Sequence, residues 1–221
     1  MSADITIFAF VWGDTHTHFV DGWVKAIQGC NIQPADVVIG TDRTNPTDLG
    51  GVPFRVMELD FGRERNIESI NTMVRSCSTK WIGECDIDDL LLPDAFAHLQ
   101  DAEGYDVCAN TIRFKSNGSC LCSMPERFHA EPERNHVMVN SYYTKEIFDR
   151  VGGYAPDAYF HDWGLWWKFH KHGARWFRSP GVHMEYNDIP HEHKGSNNFV
   201  PDALERQLAW INRYEPAKSG E

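Results

Sequence analysis

The sequence predicts an α/β domain in which a mixed, mostly parallel sheet is flanked by helices. Residues 5–12 (ITIFAFVW) and 35–40 (ADVVIG) are continuous apolar, β-branched runs, which are typical of strands buried on both faces. Apolar residues recur at helical spacing over residues 63–77. Because strands that alternate with helices form parallel sheets through right-handed crossovers, the first half of the chain is expected to be doubly wound.

The elements of the first half are expected in a simple order. After the first strand, a helix with Thr15 or Thr17 as its N-cap is expected to run to about Gly29. The second strand is followed by a polar loop, and the remaining elements are a strand at 54–59, the helix at 63–77 and a strand that ends at Asp86.

The second half changes character, with shorter strand-like runs and several turn signals. Strands are expected at residues 106–114, 137–143, 175–178 and 182–186. Helices are expected at residues 144–153, which end at paired glycines, and at 162–172 and 201–214.

Composition excludes several classes of protein. A formal net charge of −11 argues against a broad nucleic-acid surface, which needs a basic footprint. No apolar run approaches the ~20 residues of a membrane span, and the N-terminus does not have the pattern of a signal peptide. The six cysteines are scattered, which favours reduced thiols and a cytoplasmic location.

The most informative stretch is residues 80–93 (KWIGECDIDDLLLP). If the strand continues through it, Asp86 and Asp88 face the same side and Asp89 faces the other. Two such carboxylates repel each other unless a cation lies between them, and oxygen ligands suit Mn²⁺ or Mg²⁺. The alternative is an acidic turn in which Asp88 or Asp89 caps a helix.

Four motifs together resemble the family 2 type of nucleotide-sugar glycosyltransferase, which has the GT-A fold. They are the D-x-D-D stretch with its leucines and Pro-Asp at residues 85–96, the pair Arg65-Asn66, the segment 151–176 (VGGYAPDAYFHDWGLWWKFHKHGARW), and the loop HKGS at 193–196. The resemblance implies one GT-A (Rossmann-like) domain, with a nucleotide-sugar-binding half (1–92), an acceptor and catalytic half (93–200), and a C-terminal helix and tail (201–221).

The resemblance also implies roles for individual residues in metal binding and catalysis. Asp88 would bind the divalent cation that bridges the diphosphate, and Asp89 would support it. His193, or His191 two residues earlier, would help hold the metal or the pyrophosphate. Asp162 matches the general base that deprotonates the acceptor hydroxyl, and a base opposite the leaving group implies inversion at the anomeric carbon. The alternative for Asp162 is a plain helix N-cap.

Donor binding would involve a second set of residues. Asp86 would contact the ribose or base, and Asp42 falls where the family has an aspartate near the nucleobase. Arg65, beside Asn66, can pair with phosphate through its fork geometry, or lie on a solvated helix face. Trp163 is the candidate for stacking on the sugar. A UDP-sugar is the expected donor, and the acceptor stays open.

Trp166 and Trp167 lie at helical spacing from Trp163 and are expected in the core.

The sequence departs from the family pattern at several positions. His161 stands where the family has an acidic residue before the base, and Gly164 replaces the acid two residues after it. The segment GTDRT replaces a D-D-G-S turn, so the residues that would read the nucleobase differ from the family pattern.

Two other functions stay open. Asp14-x-His16-x-His18 after the first strand resembles the metal-binding start of PHP-type phosphoesterases and amidohydrolases, since paired histidines can bind zinc. That fold is a barrel of about 250 residues, and this chain has too few βα units for it. The chain could also bind a nucleotide or a partner without turnover, because fold alone does not give activity.

Overall fold

The computed structural model describes residues 2–60, 67–189 and 202–216. Its central element is the apolar strand β1 (Ser2–Val11), which is flanked by two parallel strands. The parallel half of the sheet has the order β3-β2-β1-β4, in which the other strands are β2 (Gln33–Asp42), β3 (Arg55–Leu59) and β4 (Trp81–Glu84). The parallel first half predicted from the sequence is therefore confirmed.

The second half of the sheet mixes strand directions. Its strands are β5 (Leu90–Leu91), β6 (Val107–Phe114), β7 (Cys120–Cys122), β8 (Tyr142–Thr144) and β9 (Trp176–Tyr186). β8 joins the two halves, because it pairs antiparallel with both β4 and β6. β9 is parallel to β6, whereas β7 and β5 pair antiparallel with β6 and β9.

Helices cover both faces of this sheet. They are α1 (Thr17–Gln28), α2 (Ile67–Arg75), α3 (Lys145–Arg150), α4 (His161–Lys171) and α5 (Ala203–Arg213). Alternate residues of β1 enter two hydrophobic clusters: Phe8 joins the cluster of α2, α3, α4 and α5, and Ile7 joins the cluster of α1. This alternation follows from the two-residue period of a strand with both faces buried.

Three expectations about local structure are wrong. The side chains of Thr15 and Thr17 donate to the carbonyls of Trp12 and Asp14 and do not cap α1. Most of residues 137–143 is a turn region, and only β8 at its end pairs with the sheet. The two strands expected at 175–178 and 182–186 are one strand, β9.

Close packing explains the glycine at position 164. A Cβ there would lie 2.6 Å from the Cβ of Ala158, within the hydrophobic cluster that also contains Trp210 of α5. Trp166 and Trp167 are 1% and 7% exposed, which confirms their place in the core. A side chain larger than that of glycine at position 164 would therefore clash with Ala158.

The cysteines and the helix lengths can be read directly from the described residues. All six cysteines lie in the described residues, and each is a free thiol. Burial raises the pKa of Cys30 to about 11, so this thiol stays protonated at neutral pH. Within the described ranges, no helix is both long and apolar enough to cross a bilayer.

The buried residue His183 predicts a pH dependence of stability. Its ring nitrogens contact the Ala95 carbonyl and the Ser179 hydroxyl, and burial lowers its pKa to about 4. As pH falls from 6.5 to 4, the unfolded chain binds a proton here that the folded chain does not. This difference should remove about 3 kcal/mol of the free energy of unfolding.

The variant His183→Gln lacks the titrating group, so its stability deficit relative to wild type should shrink as pH falls through this window. Urea unfolding at pH 7.5 and 4.5 measures the deficit, with His18→Gln as the control on an exposed histidine. A deficit in His183→Gln that is the same at both pH values would contradict the prediction.

Candidate active site

The acidic stretch is a turn rather than a continuing strand. β4 ends at Glu84, and the backbone N–H of Asp89 donates to the carbonyl of Asp86 at 2.9 Å. The strand alternation expected for Asp86 and Asp88 therefore does not apply. The capping alternative is also wrong, because residues Leu90–Leu91 form β5 and no helix begins there.

The three carboxylates of this turn have different environments. Asp86 and Asp88 are half-buried, whereas Asp89 is 1% exposed and accepts a hydrogen bond from the backbone N–H of Asn187 at 2.8 Å. Burial, together with the charges of Asp89, Asp86 and Asp88, raises the pKa of Tyr186 to about 12. Negatively charged side chains thus cluster beyond the carboxyl end of β4, and Asp89 is held there by its hydrogen bond from Asn187.

The donor atoms of the turn fit a hard divalent cation, because they are carboxylate oxygens with partial access to solvent. In the part of the chain that the structure describes, no group of three or more His, Cys, Asp or Glu side chains is arranged to hold a metal ion. His191 and His193, the expected metal ligands, and Arg65 and Asn66 lie outside the described residues.

Asp162 lies in the first turn of α4. The N-cap of this helix is Phe160, so the alternative that Asp162 is a plain N-cap is wrong. Its carboxylate is half-buried, and its Oδ2 accepts a hydrogen bond from Nδ2 of Asn135 at 2.9 Å. This bond fixes the orientation of the carboxylate.

One contact joins the start of α4 to the end of β4. The Nε2 of His161 lies 3.3 and 3.4 Å from the two carboxylate oxygens of Glu84. His161 precedes Asp162, and Glu84 is two residues before Asp86. The helix start that carries Asp162 and the strand end that leads into the acidic turn therefore meet.

Glu84 is the residue of this region that the sequence motifs do not identify. It is 2% exposed, and its Oε2 also accepts from the hydroxyl of Tyr154 at 3.2 Å. The one available signal is a glutamate that directly follows three residues of a buried strand, at positions 81–83.

Asp42 ends β2 at the same edge of the sheet. β2, β1 and β4 are parallel neighbours, and their carboxyl ends lie where open α/β sheets bind ligands. Asp42 is 3% exposed, and its Oδ1 accepts from the backbone N–H and the hydroxyl of Thr44 at 2.9 and 2.8 Å. These bonds shape the turn after β2.

Trp163 is mostly buried. It is 5% exposed, belongs to the hydrophobic core, and stacks on Phe160 with 6.1 Å between ring centroids. This packing leaves little indole surface for a sugar in this structure.

The Asp14-x-His16-x-His18 motif does not lie in the barrel fold that the phosphoesterase alternative requires. Asp14 and His16 lie in a 3₁₀ turn, Gly13–His16, and His18 lies in α1. The strands form an open mixed sheet. The fold required by the phosphoesterase alternative is therefore not present.

Comparisons of the sequence with protein-family models and with curated proteins give no match. Comparison of the structure with solved structures gives strong matches. The mannosyltransferase PcManGT from Pyrobaculum calidifontis, in complex with GDP-Man and Mn²⁺, matches with a TM-score of 0.69 and 15% identity over 98% of this chain and 66% of its own. S. aureus TarS 1-349, in complex with UDP-GlcNAc, matches with a TM-score of 0.68 and 12% identity over 96% of this chain and 65% of its own.

This chain thus spans slightly less than two thirds of the length of these two structures. At such low identities the similarity establishes the fold. The chain has the GT-A fold, as the resemblance of its motifs to nucleotide-sugar glycosyltransferases predicted.

Proposed function

We propose that this chain is a glycosyltransferase that moves a sugar from a nucleotide-sugar donor to an acceptor hydroxyl with the help of Mn²⁺ or Mg²⁺. The observation that carries the proposal is the contact between Glu84 and His161, because it brings the helix turn with Asp162 to the strand that leads into the acidic turn. Two structures with this fold, one in complex with GDP-Man and Mn²⁺ and one in complex with UDP-GlcNAc, support a sugar nucleotide as the ligand.

The acidic turn would hold the divalent cation. Asp88 is the proposed ligand, Asp89 braces the turn through its bond to the Asn187 backbone, and His191 or His193 would complete the site. When bound, such a cation acts as a Lewis acid that stabilises the negative charge developing on the departing diphosphate. Asp86 would contact the ribose or the base.

Asp162 is the proposed general base. The amide of Asn135 holds one of its oxygens, so the carboxylate is oriented before the acceptor binds. A positioned base of this kind accelerates a reaction by about 10²–10⁴-fold. Because this base would act on the face opposite the leaving group, we propose inversion at the anomeric carbon.

The rest of the donor site follows the motif resemblance. Asp42 would face the nucleobase, and Arg65 with Asn66 would face the phosphates. Trp163 stays the proposed contact to the sugar, through the 5% of its surface that is exposed. We propose a UDP-sugar as the donor, with a GDP-sugar as the alternative.

A protein that binds a nucleotide without turnover is the second candidate. It is favoured by His161, whose imidazole engages Glu84 at the position where the family has an acid.

Turnover of the donor tests the proposed role of Asp162. Wild-type protein with Mn²⁺ should release nucleoside diphosphate from one member of a panel of UDP- and GDP-sugars. Asp162→Asn, which removes the base and keeps the shape, should lower the rate by about 10²–10⁴-fold with little change in nucleotide affinity.

The matched control is Asp149→Asn on an exposed aspartate of α3. If wild type consumes no donor yet binds one, the non-catalytic candidate stands. If Asp162→Asn retains the full rate, Asp162 is not the base.

A second prediction separates the neighbouring carboxylates Asp88 and Asp89. Asp89→Ala leaves the buried N–H of Asn187 without its acceptor, so urea unfolding should show a loss of about 1–3 kcal/mol. Asp88→Ala should change the free energy of unfolding by less than about 1 kcal/mol. It should instead abolish the rise in melting temperature that Mn²⁺ with UDP or GDP gives the wild type. Retention of that rise in Asp88→Ala would exclude Asp88 as the metal ligand.

A further inference from the structure

Polar side chains contact the buried carboxylate of Glu84. The imidazole of His161 and the hydroxyl of Tyr154 both contact this carboxylate, and the Tyr154 hydroxyl lies 3.3 Å from that of Tyr143. Glu84, Tyr154 and Tyr143 are at most 2% exposed. Because a buried carboxylate costs several kcal/mol unless it is paired, these partners are needed at the positions they occupy.

The partners of Glu84 are themselves fixed by other elements. The side-chain amide of Asn71 in α2 donates to the carbonyl of Tyr154 at 3.0 Å, and its oxygen accepts from the Tyr154 N–H at 2.8 Å. His161 is the first residue of α4. The end of β4 is thus tied to α2 through Tyr154 and to the start of α4 through His161.

We infer that Glu84 and His161 are positioning residues, which hold the base Asp162 at a fixed distance from the acidic turn. This inference rests on the proposed function. Glu84 is two residues before Asp86, and His161 is one residue before Asp162. A shift in the contact between Glu84 and His161 would therefore move Asp162 relative to the acidic turn. Glu84 places its carboxylate against the ring of His161 from the end of β4.

The inference predicts a specific pattern of kinetics. Glu84→Gln keeps the shape and removes the charge, and the turnover number should fall about tenfold or more, since a displacement of about 1 Å at a reacting centre can cost 10²-fold. The KM for the donor and the affinity for Mn²⁺ with nucleoside diphosphate should change less than about threefold, because Glu84 touches neither in this account. A purely structural role would lower the melting temperature and leave the turnover number unchanged in the folded protein.

The double variant Glu84→Gln with His161→Glu provides the rescue. His161→Glu alone places two carboxylates against each other in a buried site, so it should lose both stability and turnover. In the double variant, the amide at position 84 can donate to the new carboxylate, and turnover should return to within about threefold of wild type. The control is His172→Gln, at the other end of α4, where the imidazole contacts the hydroxyl of Tyr214.

Hydrogen exchange supplies a readout that needs no activity. The amide of Gly164, which donates to the Phe160 carbonyl in the first turn of α4, should exchange faster in Glu84→Gln than in wild type. Unchanged exchange and unchanged turnover in Glu84→Gln would overturn the inference. If the wild type transfers no sugar but Gly164 still exchanges faster in Glu84→Gln, the positioning contact is supported and the proposed function is rejected. Failure of the double variant to recover turnover, with its melting temperature restored, would also overturn the inference.

Discussion

The buried carboxylate of Glu84 is the constraint on which the proposed site depends. A carboxylate that is 2% exposed at the end of a central strand requires hydrogen-bond donors, and His161 and Tyr154 supply them from two other segments. The contact with His161 places the first turn of α4 beside the end of β4. The first turn of α4, which carries the proposed base, and the end of β4, which leads into the acidic turn, are in contact for this reason, although His161 and Glu84 are 77 residues apart in the sequence.

The topology of the sheet explains why the other polar groups lie at the same edge. β2, β1 and β4 run parallel, so their carboxyl ends bring Asp42, Glu84 and the acidic turn to one side. β9 then brings Tyr186 next to the acidic turn, where burial and the charges of four aspartates raise its pKa. Apolar packing then fixes α4, because Trp166 lies in the core and Gly164 leaves room for the side chain of Ala158.

Much of the fold could be predicted from apolar runs, because residues 5–11 of β1 and 37–40 of β2 are buried on both faces. The site was only partly predictable. Asp162 and the aspartates of the turn belong to motifs with recognisable spacing, whereas Glu84 matters through a contact 77 residues away that no local pattern encodes. The strand expected at 137–143 was wrong for a similar reason: Val137 is buried by tertiary packing rather than by strand pairing.

The most direct test of the account is a crystal structure with Mn²⁺ and a nucleoside diphosphate, with anomalous data collected at the manganese edge. We predict a manganese peak within about 2.5 Å of an Asp88 oxygen, with the diphosphate between the acidic turn and the first turn of α4. A manganese peak elsewhere, such as the cavity of about 360 Å³ lined by His129 and His170 near the far end of α4, would contradict it.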